Sequence, residues 1–398
     1  MASLSADALV IGAGPAGSAA ARTLALHGAR VLLVDRHQFP RDKVCGDALI
    51  PDALAALTEL GVLSEVLGLA RRVSRVRVVS PDHTAVDLEG GCACLPRLAL
   101  DDLLRKSAIR AGAEFRMGLR AEAAIDEHGV IAGARFMSAA GERLEIRAPL
   151  TVLSTGAAAD VLARFGMCTR IGPSATAARI YVRVDRDYAA TWDHLCIAYS
   201  QSICPGYGWL FPGPDDVFNV GVGYFYDAAS LPAEKNVRKM LATFLADFPP
   251  ARELIRHGTV IGPLKGAPLR TALAGATLAR PGLLVAGEAA GLTYSFSGEG
   301  IGKALQSGII AAQMAMQHRG ARAVAEGYAT ALSREFASRF RAYSRLQRWL
   351  AYPAFVNFLA RRGRSGRYVR TQLEGLLNET GDPEELLTLR GLFKAIVS

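Results

Sequence analysis

Gly12, Gly14 and Gly17 follow an apolar run, Ala8 to Ile11, and precede an alanine-rich stretch. Glycines at that spacing suit a bound pyrophosphate. Gly12 permits a tight turn, Gly14 lets backbone N–H groups approach phosphate oxygens, and Gly17 lets the following helix pack closely on the strand. Pro15 and Ala16, inside the loop, belong to the same binding set. Asp35 ends the next apolar run, where a carboxylate accepts hydrogen bonds from a ribose. An acid there favours an adenosine ribose without a 2′-phosphate. A later segment, Ser297-Gly-Glu-Gly-Ile-Gly-Lys-Ala304, fails as a triphosphate loop, because Ser297 replaces the first glycine and Ala304 the magnesium-binding hydroxyl. No second G-x-G-x-x-G occurs, so one dinucleotide without a separate nicotinamide domain is expected. The seven histidines form no H-E-x-x-H or similar cluster, and no metal site is expected.

These residues need a strand, a helix and a second strand to hold them. Asp7 to Val10 and Val31 to Asp35 read as the strands and Pro15 to His27 as the helix, with Gly28 as its left-handed cap. Further along, Leu98 to Ala111 reads as a helix and Ile131 to Phe136 and Glu145 to Leu153 as strands. Leu283 to Ala286 reads as a buried strand ahead of a helix from Gly300 to Met316. Residues 171 to 225 alternate apolar and polar side chains, as in an antiparallel sheet with one solvated face. From about residue 326 the pattern is helical, interrupted at Pro353 and around Gly363 to Gly366. The expected architecture is α/β. A Rossmann-like dinucleotide domain takes residues 1–70, 97–165 and 275–325, a second, antiparallel-sheet (α+β) substrate domain takes 71–96 and 166–274, and a C-terminal helical region takes 326–398.

Four further segments occur in order: Arg41-Asp-Lys-Val-Cys-Gly-Asp-Ala-Leu-Ile-Pro51, Pro205-Gly-Tyr-Gly-Trp-Leu-Phe-Pro212, Gly287-Glu-Ala-Ala-Gly291 and Ser297-Gly-Glu-Gly-Ile301. Together they resemble the geranylgeranyl reductase family of FAD-dependent oxidoreductases, within the hydroxylase-like flavoprotein fold. The resemblance runs from residue 7 to about 316, and Leu376 to Pro383 is also similar to members. It implies FAD as the cofactor of the Rossmann-like domain. Gly287, Glu288 and Gly291 would approach its pyrophosphate and ribityl chain. Gly298, Gly300 and Ile301 would bring a helix N-terminus beside the isoalloxazine, where the dipole stabilises the anionic reduced ring. Glu288 stands where many members carry Asp. Arg97 occupies the place of a family arginine that contacts FAD, and Arg36, Arg41, Lys43, Cys45, Gly46 and Gly156 complete the implied cofactor set. Cys45 would lie close to the flavin, its thiol donating a proton or shaping the pocket. Tyr207, Trp209 and Phe211 alternate, so a strand turns all three to one face. There Tyr207 is a second acid, and Trp209 and Phe211 form a wall for a small apolar substrate. The plainer alternatives are a buried hydrophobe for Cys45, core packing for the aromatics and a solvent-facing helix residue for Arg97.

The reaction the resemblance implies is saturation of carbon-carbon double bonds in a prenyl chain. An isolated alkene accepts hydride only when a proton supplies cationic character, so an acid and a dry apolar cavity are needed together. Electrons must come from outside, from NAD(P)H, a flavin reductase or a ferredoxin. The rivals on the same fold are FADH2-dependent halogenation and hydroxylation. Halogenases show W-x-W-x-I-P where this chain has Tyr207-Gly-Trp-Leu-Phe-Pro212, and aromatic hydroxylases carry Asp-Gly where it has Thr155-Gly156. A non-catalytic flavin-bound assembly or modification factor is the remaining alternative.

Composition sets the outer bounds. With 398 residues, 51% hydrophobic and 21% charged, the chain is neither disordered nor fibrous. Charged residues, Gly and Pro break every apolar run short of the roughly 18 residues that a spanning helix needs. No basic leader precedes the first strand, and six cysteines without a C-x-x-C pair suit a reducing cytoplasm. The net charge of +9 is concentrated: Arg319 to Arg370 holds 12 Arg against Glu326 and Glu335. Phe336, Phe340, Tyr343, Trp349, Tyr352, Phe355 and Phe358 interleave with them. Such a basic amphipathic segment packs on the core or lies peripherally on the inner membrane face, and no nucleic-acid module accompanies it.

Overall fold

In the computed structural model the described residues are 2–169, 174–225, 236–273, 275–385, 388, 391, 394 and 395. Residues 171–173 of the alternating stretch and the last positions of the tail lie outside them. Ala8–Ile11 pairs in parallel with Val31–Asp35, Ala8 opposite Val31 and Ile11 opposite Val34. Glu114–Met117 extends this sheet on one side, and Leu150–Leu153, Leu283–Val285 and Ala279–Arg280 extend it on the other. Its Ala8–Ile11 and Val31–Asp35 strands are buried throughout, as expected of parallel strands covered on both faces. The Pro15–Leu26 helix packs against Arg97–Arg110 and Ile301–Gln317. A Cβ on Gly308 would lie 2.1 Å from the Ala16 carbonyl oxygen, so only glycine lets these two helices approach so closely. Both consequently start at the same cavity.

Several strands were not legible in the sequence, and the expected strand Glu145 to Leu153 is corrected to two, Arg143–Arg147 and Leu150–Leu153, which lie in different sheets. Ala2–Ser5 pairs in parallel with Arg143–Arg147, at the edge of a four-stranded sheet completed by Val130–Ser138 and Leu119–Glu127. Four residues with serine at alternate positions carry little apolar signal, and the neighbouring strand supplies the order.

The eight-stranded sheet runs Gly258–Leu269, Ala175–Val184, Val217–Phe225, Tyr207–Pro212, His194–Ala198, Arg71–Val79, Ala85–Cys94, Ala48–Leu49. All its pairings are antiparallel except that of His194–Ala198 with Arg71–Val79. The expectation of a solvated face is corrected at its centre, where Tyr207–Pro212 is wholly buried and Val217–Phe225 nearly so. Helices Val237–Asp247 and Pro249–Arg256 cover one face, packing Phe244 and Leu254 onto Val182 and Val220. The other face carries Tyr207, Trp209 and Phe211 and closes over the cavity. Trp209 lies opposite Gly221, where a Cβ would come within 2.2 Å of the indole.

Helix Ala321–Leu350 buries Tyr328, Leu332, Phe336, Phe340 and Tyr343 against the parallel-sheet core, and the Tyr328 hydroxyl donates to the Val285 carbonyl at 2.7 Å. Pro353–Ser365 and Arg367–Leu377 then pack on Ala85–Cys94. Packing thus accounts for the first aromatics of the basic segment. Trp349 and Tyr352, at the turn between the first two helices, remain 50% and 65% exposed. Among the described residues no helix is long and apolar enough to cross a membrane.

Candidate functional site

A cavity of about 490 Å³ opens between the Gly12 turn, the start of the Ile301–Gln317 helix and the aromatic face of the large sheet. Gly12, Gly14, Pro15, Ala16, Asp35 and Arg36 line its dinucleotide end. The first turn of the Pro15–Leu26 helix has no side-chain cap, so its N–H groups face a prospective anion. A Cβ on Gly14 would meet only the arginine ends Arg41 Nη2 at 3.5 Å and Arg97 Nη2 at 4.0 Å. Two guanidinium groups thus overlook uncapped helix donors, which is the donor set a pyrophosphate requires. Asp35 accepts from Ala13 N through one oxygen and from His37 N through the other, both at 2.8 Å, leaving lone pairs on each for a ribose. The residues present therefore fit FAD.

Arg97 is 4% exposed, so the solvent-facing alternative fails. Asp101 holds its guanidinium through two contacts, at 2.7 and 2.8 Å, and Arg41 reaches the same carboxylate at 3.2 Å. Burial alone would lower the Arg97 pKa, but Asp101 and the adjacent Cys45 side chain outweigh it and raise it. Lys43 and Glu288 form a 2.8 Å ion pair beside Gly156. The Glu288 carboxylate lines the cavity and is engaged by Lys43 through one oxygen.

Gly17, Gly287 and Gly291 are not among the residues lining the cavity; Gly17 has the packing role expected of it, and Gly287 and Gly291 are likewise closely packed. A Cβ on Gly17 would fall 1.8 Å from the Gly12 carbonyl oxygen, and one on Gly287 would come 2.9 Å from Ala16 Cβ. Gly291 adopts φ +76 against the Leu273 backbone.

The Arg41 to Asp47 loop crosses the cavity and is tied to the sheet. Asn219, unmarked by any sequence motif, donates to the Cys45 carbonyl and to Asp47 Oδ2, both at 2.7 Å, and accepts from Trp209 Nε1 at 2.9 Å. The Tyr181 hydroxyl donates to Asp47 at 2.6 Å, and Arg179 binds Asp42 at 2.6 and 2.8 Å. Burial pushes the Asp47 carboxyl up to about 6, against the downward pull of its Tyr181 and Asn219 donors. Cys45 and Gly46 thereby reach the cavity beneath Trp209 and Phe211.

Tyr207, Trp209 and Phe211 form a row, with ring centroids 6.1 and 6.3 Å apart. Val76, Leu195, Ile197, Phe225 and Leu269 extend this apolar wall. The Tyr207 hydroxyl donates to the Ser297 carbonyl, and burial raises its pKa well above the usual 10. Both facts make it a poor acid. Gly298, Gly300 and Ile301 line the cavity next to Tyr207, where the Ile301–Gln317 helix also begins without a side-chain cap.

Glu299, inside a recognised motif yet given no role by the sequence, lines this end as well. Below it Lys303, 1% exposed, bonds Asp52 at 2.6 Å and Glu379 at 2.7 Å, and Arg339 bonds Glu379 in turn. The motif marked the segment, but these partners come from elsewhere in the chain.

Residues 5–231 match the family described as FAD binding domain. A menaquinone reductase of Mycolicibacterium smegmatis is 31% identical over 88% of this chain and 86% of its own. Digeranylgeranylglycerophospholipid reductase 1 of Methanothermobacter thermautotrophicus is 31% identical over 82% of this chain and 79% of its own. Among solved structures, a geranylgeranyl bacteriochlorophyll reductase-like protein of Thermoplasma acidophilum superposes with a TM-score of 0.79 at 22% identity, covering 100% of this chain and 96% of that one. Flavin-dependent halogenases superpose too, and at such identities the likeness is one of fold.

Proposed function

This chain belongs to the geranylgeranyl reductase family of FAD-binding oxidoreductases, and on that footing we propose that it saturates carbon-carbon double bonds in the prenyl part of an apolar lipid. The observation that carries the reading is that the apolar wall of Tyr207, Trp209 and Phe211 and an uncapped helix N-terminus line one cavity. FAD, when reduced, supplies hydride there, and an external donor (a reduced pyridine nucleotide, a flavin reductase or a ferredoxin) must restore it. The parallel sheet and its helices serve as the FAD domain and the eight-stranded sheet as the substrate domain.

Each residue set has a physical task in this reading. Arg41, Arg97 and the Pro15–Leu26 N-terminus bind phosphate charge. The Ile301–Gln317 N-terminus favours negative charge on a reduced ring. Trp209, Phe211, Leu195 and Ile197 exclude water from an alkene and hold it by apolar contact. Cys45, against the Arg97 guanidinium, shapes the point where the two ligands meet. The relatives' names point to two substrate types, a menaquinone and an archaeal glycerophospholipid, both prenylated.

Access to such a lipid is supplied by the turn that exposes Trp349 and Tyr352, flanked by Arg345, Arg348, Arg361 and Arg362. An aromatic pair ringed by arginines suits the interface of an anionic bilayer. The test of the main reading is anaerobic. Photoreduced protein is mixed with menaquinone or with a digeranylgeranyl glycerophospholipid in micelles, and flavin reoxidation and product mass are followed. A gain of two hydrogens in the prenyl chain, retained after air returns any quinol to quinone, supports the reading, whereas a requirement for oxygen and a product carrying a hydroxyl or halogen replaces it.

A further inference from the structure

Saturating an alkene needs an acid at the site, and the two that the sequence offers are both engaged. The Tyr207 hydroxyl donates its hydrogen bond to the Ser297 carbonyl, and Cys45 lies against Arg97. Glu299 is a third. It stands one residue before the N-cap of the Ile301–Gln317 helix and lines the cavity beside the Tyr207 contact. It is half-buried and stands among the residues that line that cavity.

The charges around it are already matched without it. Lys303 is shared by Asp52 and Glu379, and Arg339 serves Glu379. Two carboxylates and two cations balance, and among the described residues Glu299 forms no ion pair. The titratable groups facing it are Asp52 from the Pro51–Glu59 helix, Lys303 from its own helix and Glu379 beyond the Arg367–Leu377 helix. Tyr199, Tyr207, Cys92, Tyr294 and Tyr343 stand around it from the sheet and the neighbouring segments.

We propose that Glu299 is the carboxylic acid that delivers the proton in the double-bond reduction, a role that rests on the reading given above. The π bond breaks as one alkene carbon takes a proton and the other, made cationic, would take the hydride that bound reduced flavin would supply. The Glu299 O–H bond breaks, its proton forms the first C–H bond, and its electron pair stays on the carboxylate. Water returns a proton to Glu299 between turnovers, and a reduced pyridine nucleotide or ferredoxin supplies the two electrons. Both states of the group are accessible. Burial, with Asp52 and Glu379 nearby, pushes the carboxyl up to about 8, so it holds its proton at neutral pH. The carboxylate left behind is stabilised by Lys303 and by the helix N-terminus beside it.

The test compares FAD-loaded wild type, Glu299→Gln and Glu299→Asp. Infrared spectra of wild type should show a protonated carboxyl band that disappears with a midpoint near pH 8 and is missing from Glu299→Gln. With menaquinone or the digeranylgeranyl glycerophospholipid as probe, anaerobic formation of the prenyl-saturated product should slow by about 10² or more in Glu299→Gln, the scale of a lost general acid. KM should change little, and Glu299→Asp should restore part of the rate. The wild-type rate should fall as pH rises through about 8, and Glu299→Gln should lack that limb. The proposal is overturned if wild type shows no such band, or if Glu299→Gln keeps the rate and its high-pH limb. Should Glu299→Gln fail to fold, the wild-type band and rate profile with the Glu299→Asp rate carry the same decision. Failure of wild type to saturate either probe is a different result, which removes the alkene reading before any variant is compared.

Discussion

The indole N–H of Trp209 donates to Oδ1 of Asn219 at 2.9 Å, and the Asn219 amide donates in turn to the Cys45 carbonyl and the Asp47 carboxylate. The aromatic wall and the Cys45 loop, far apart in sequence, are therefore one hydrogen-bonded unit. Asn219→Leu removes both halves of the link and leaves Asp47 and the indole short of buried partners. The expected loss is about 1–3 kcal/mol of stability by urea denaturation, together with weaker substrate binding, because the loop is no longer held under the wall.

Gly14→Val should leave the fold intact and the protein colourless. The added Cβ meets only the movable ends of Arg41 and Arg97, yet it occupies the direction from which a pyrophosphate approaches. The ratio of flavin to protein absorbance checks this, with circular dichroism confirming that the chain is folded.

Folding should be linked to proton uptake at Glu299. The native group keeps its proton up to pH about 8, whereas the unfolded chain releases it near 4.5, so stability from this group falls as pH rises between those values. Asp47 contributes with the same sign between 3.8 and about 6. The Tm of wild type minus that of Glu299→Gln should therefore decline from acid toward pH 8 and then level off, as read by calorimetry.

Cys45→Ala and Trp209→Ala should separate shape from proton supply. Cys45→Ala is expected to retain FAD and the high-pH limb of the rate, with a loss of about tenfold or less, well below the roughly 10² of a missing acid. Trp209→Ala should raise KM more than it lowers kcat, because it removes apolar contact and leaves the proton donor in place. Anaerobic stopped-flow kinetics over a range of pH distinguishes the two.

Sedimentation with anionic vesicles tests the exposed turn. Binding should weaken steeply as salt rises, since surface charge is screened within about 8 Å at physiological ionic strength. A Trp349→Ala, Tyr352→Ala double variant should bind less at every salt concentration, with catalysis in detergent micelles unchanged.

By itself the sequence determined the dinucleotide loop, because turn, helix start and strand end are set by a few adjacent residues: Gly12, Gly14, Pro15 and Asp35. It also determined that Tyr207, Trp209 and Phe211 share a face, since alternation along a strand is a local property. Only the tertiary structure decided what those groups do. Arg97 is a buried, paired cation rather than a solvated one because Asp101 and the Cys45 loop fold against it. The large sheet is buried on both faces at its centre because later helices cover the side that alternation suggested was wet. The Glu299 carboxyl is pushed up because the fold buries it, and Asp52 and Glu379, which bond Lys303 from 251 and 76 positions away, add to that push. Periodicity reports which way a side chain points. Its charge state is set by the neighbours that the fold brings to it, and those neighbours come from segments with no pattern in common.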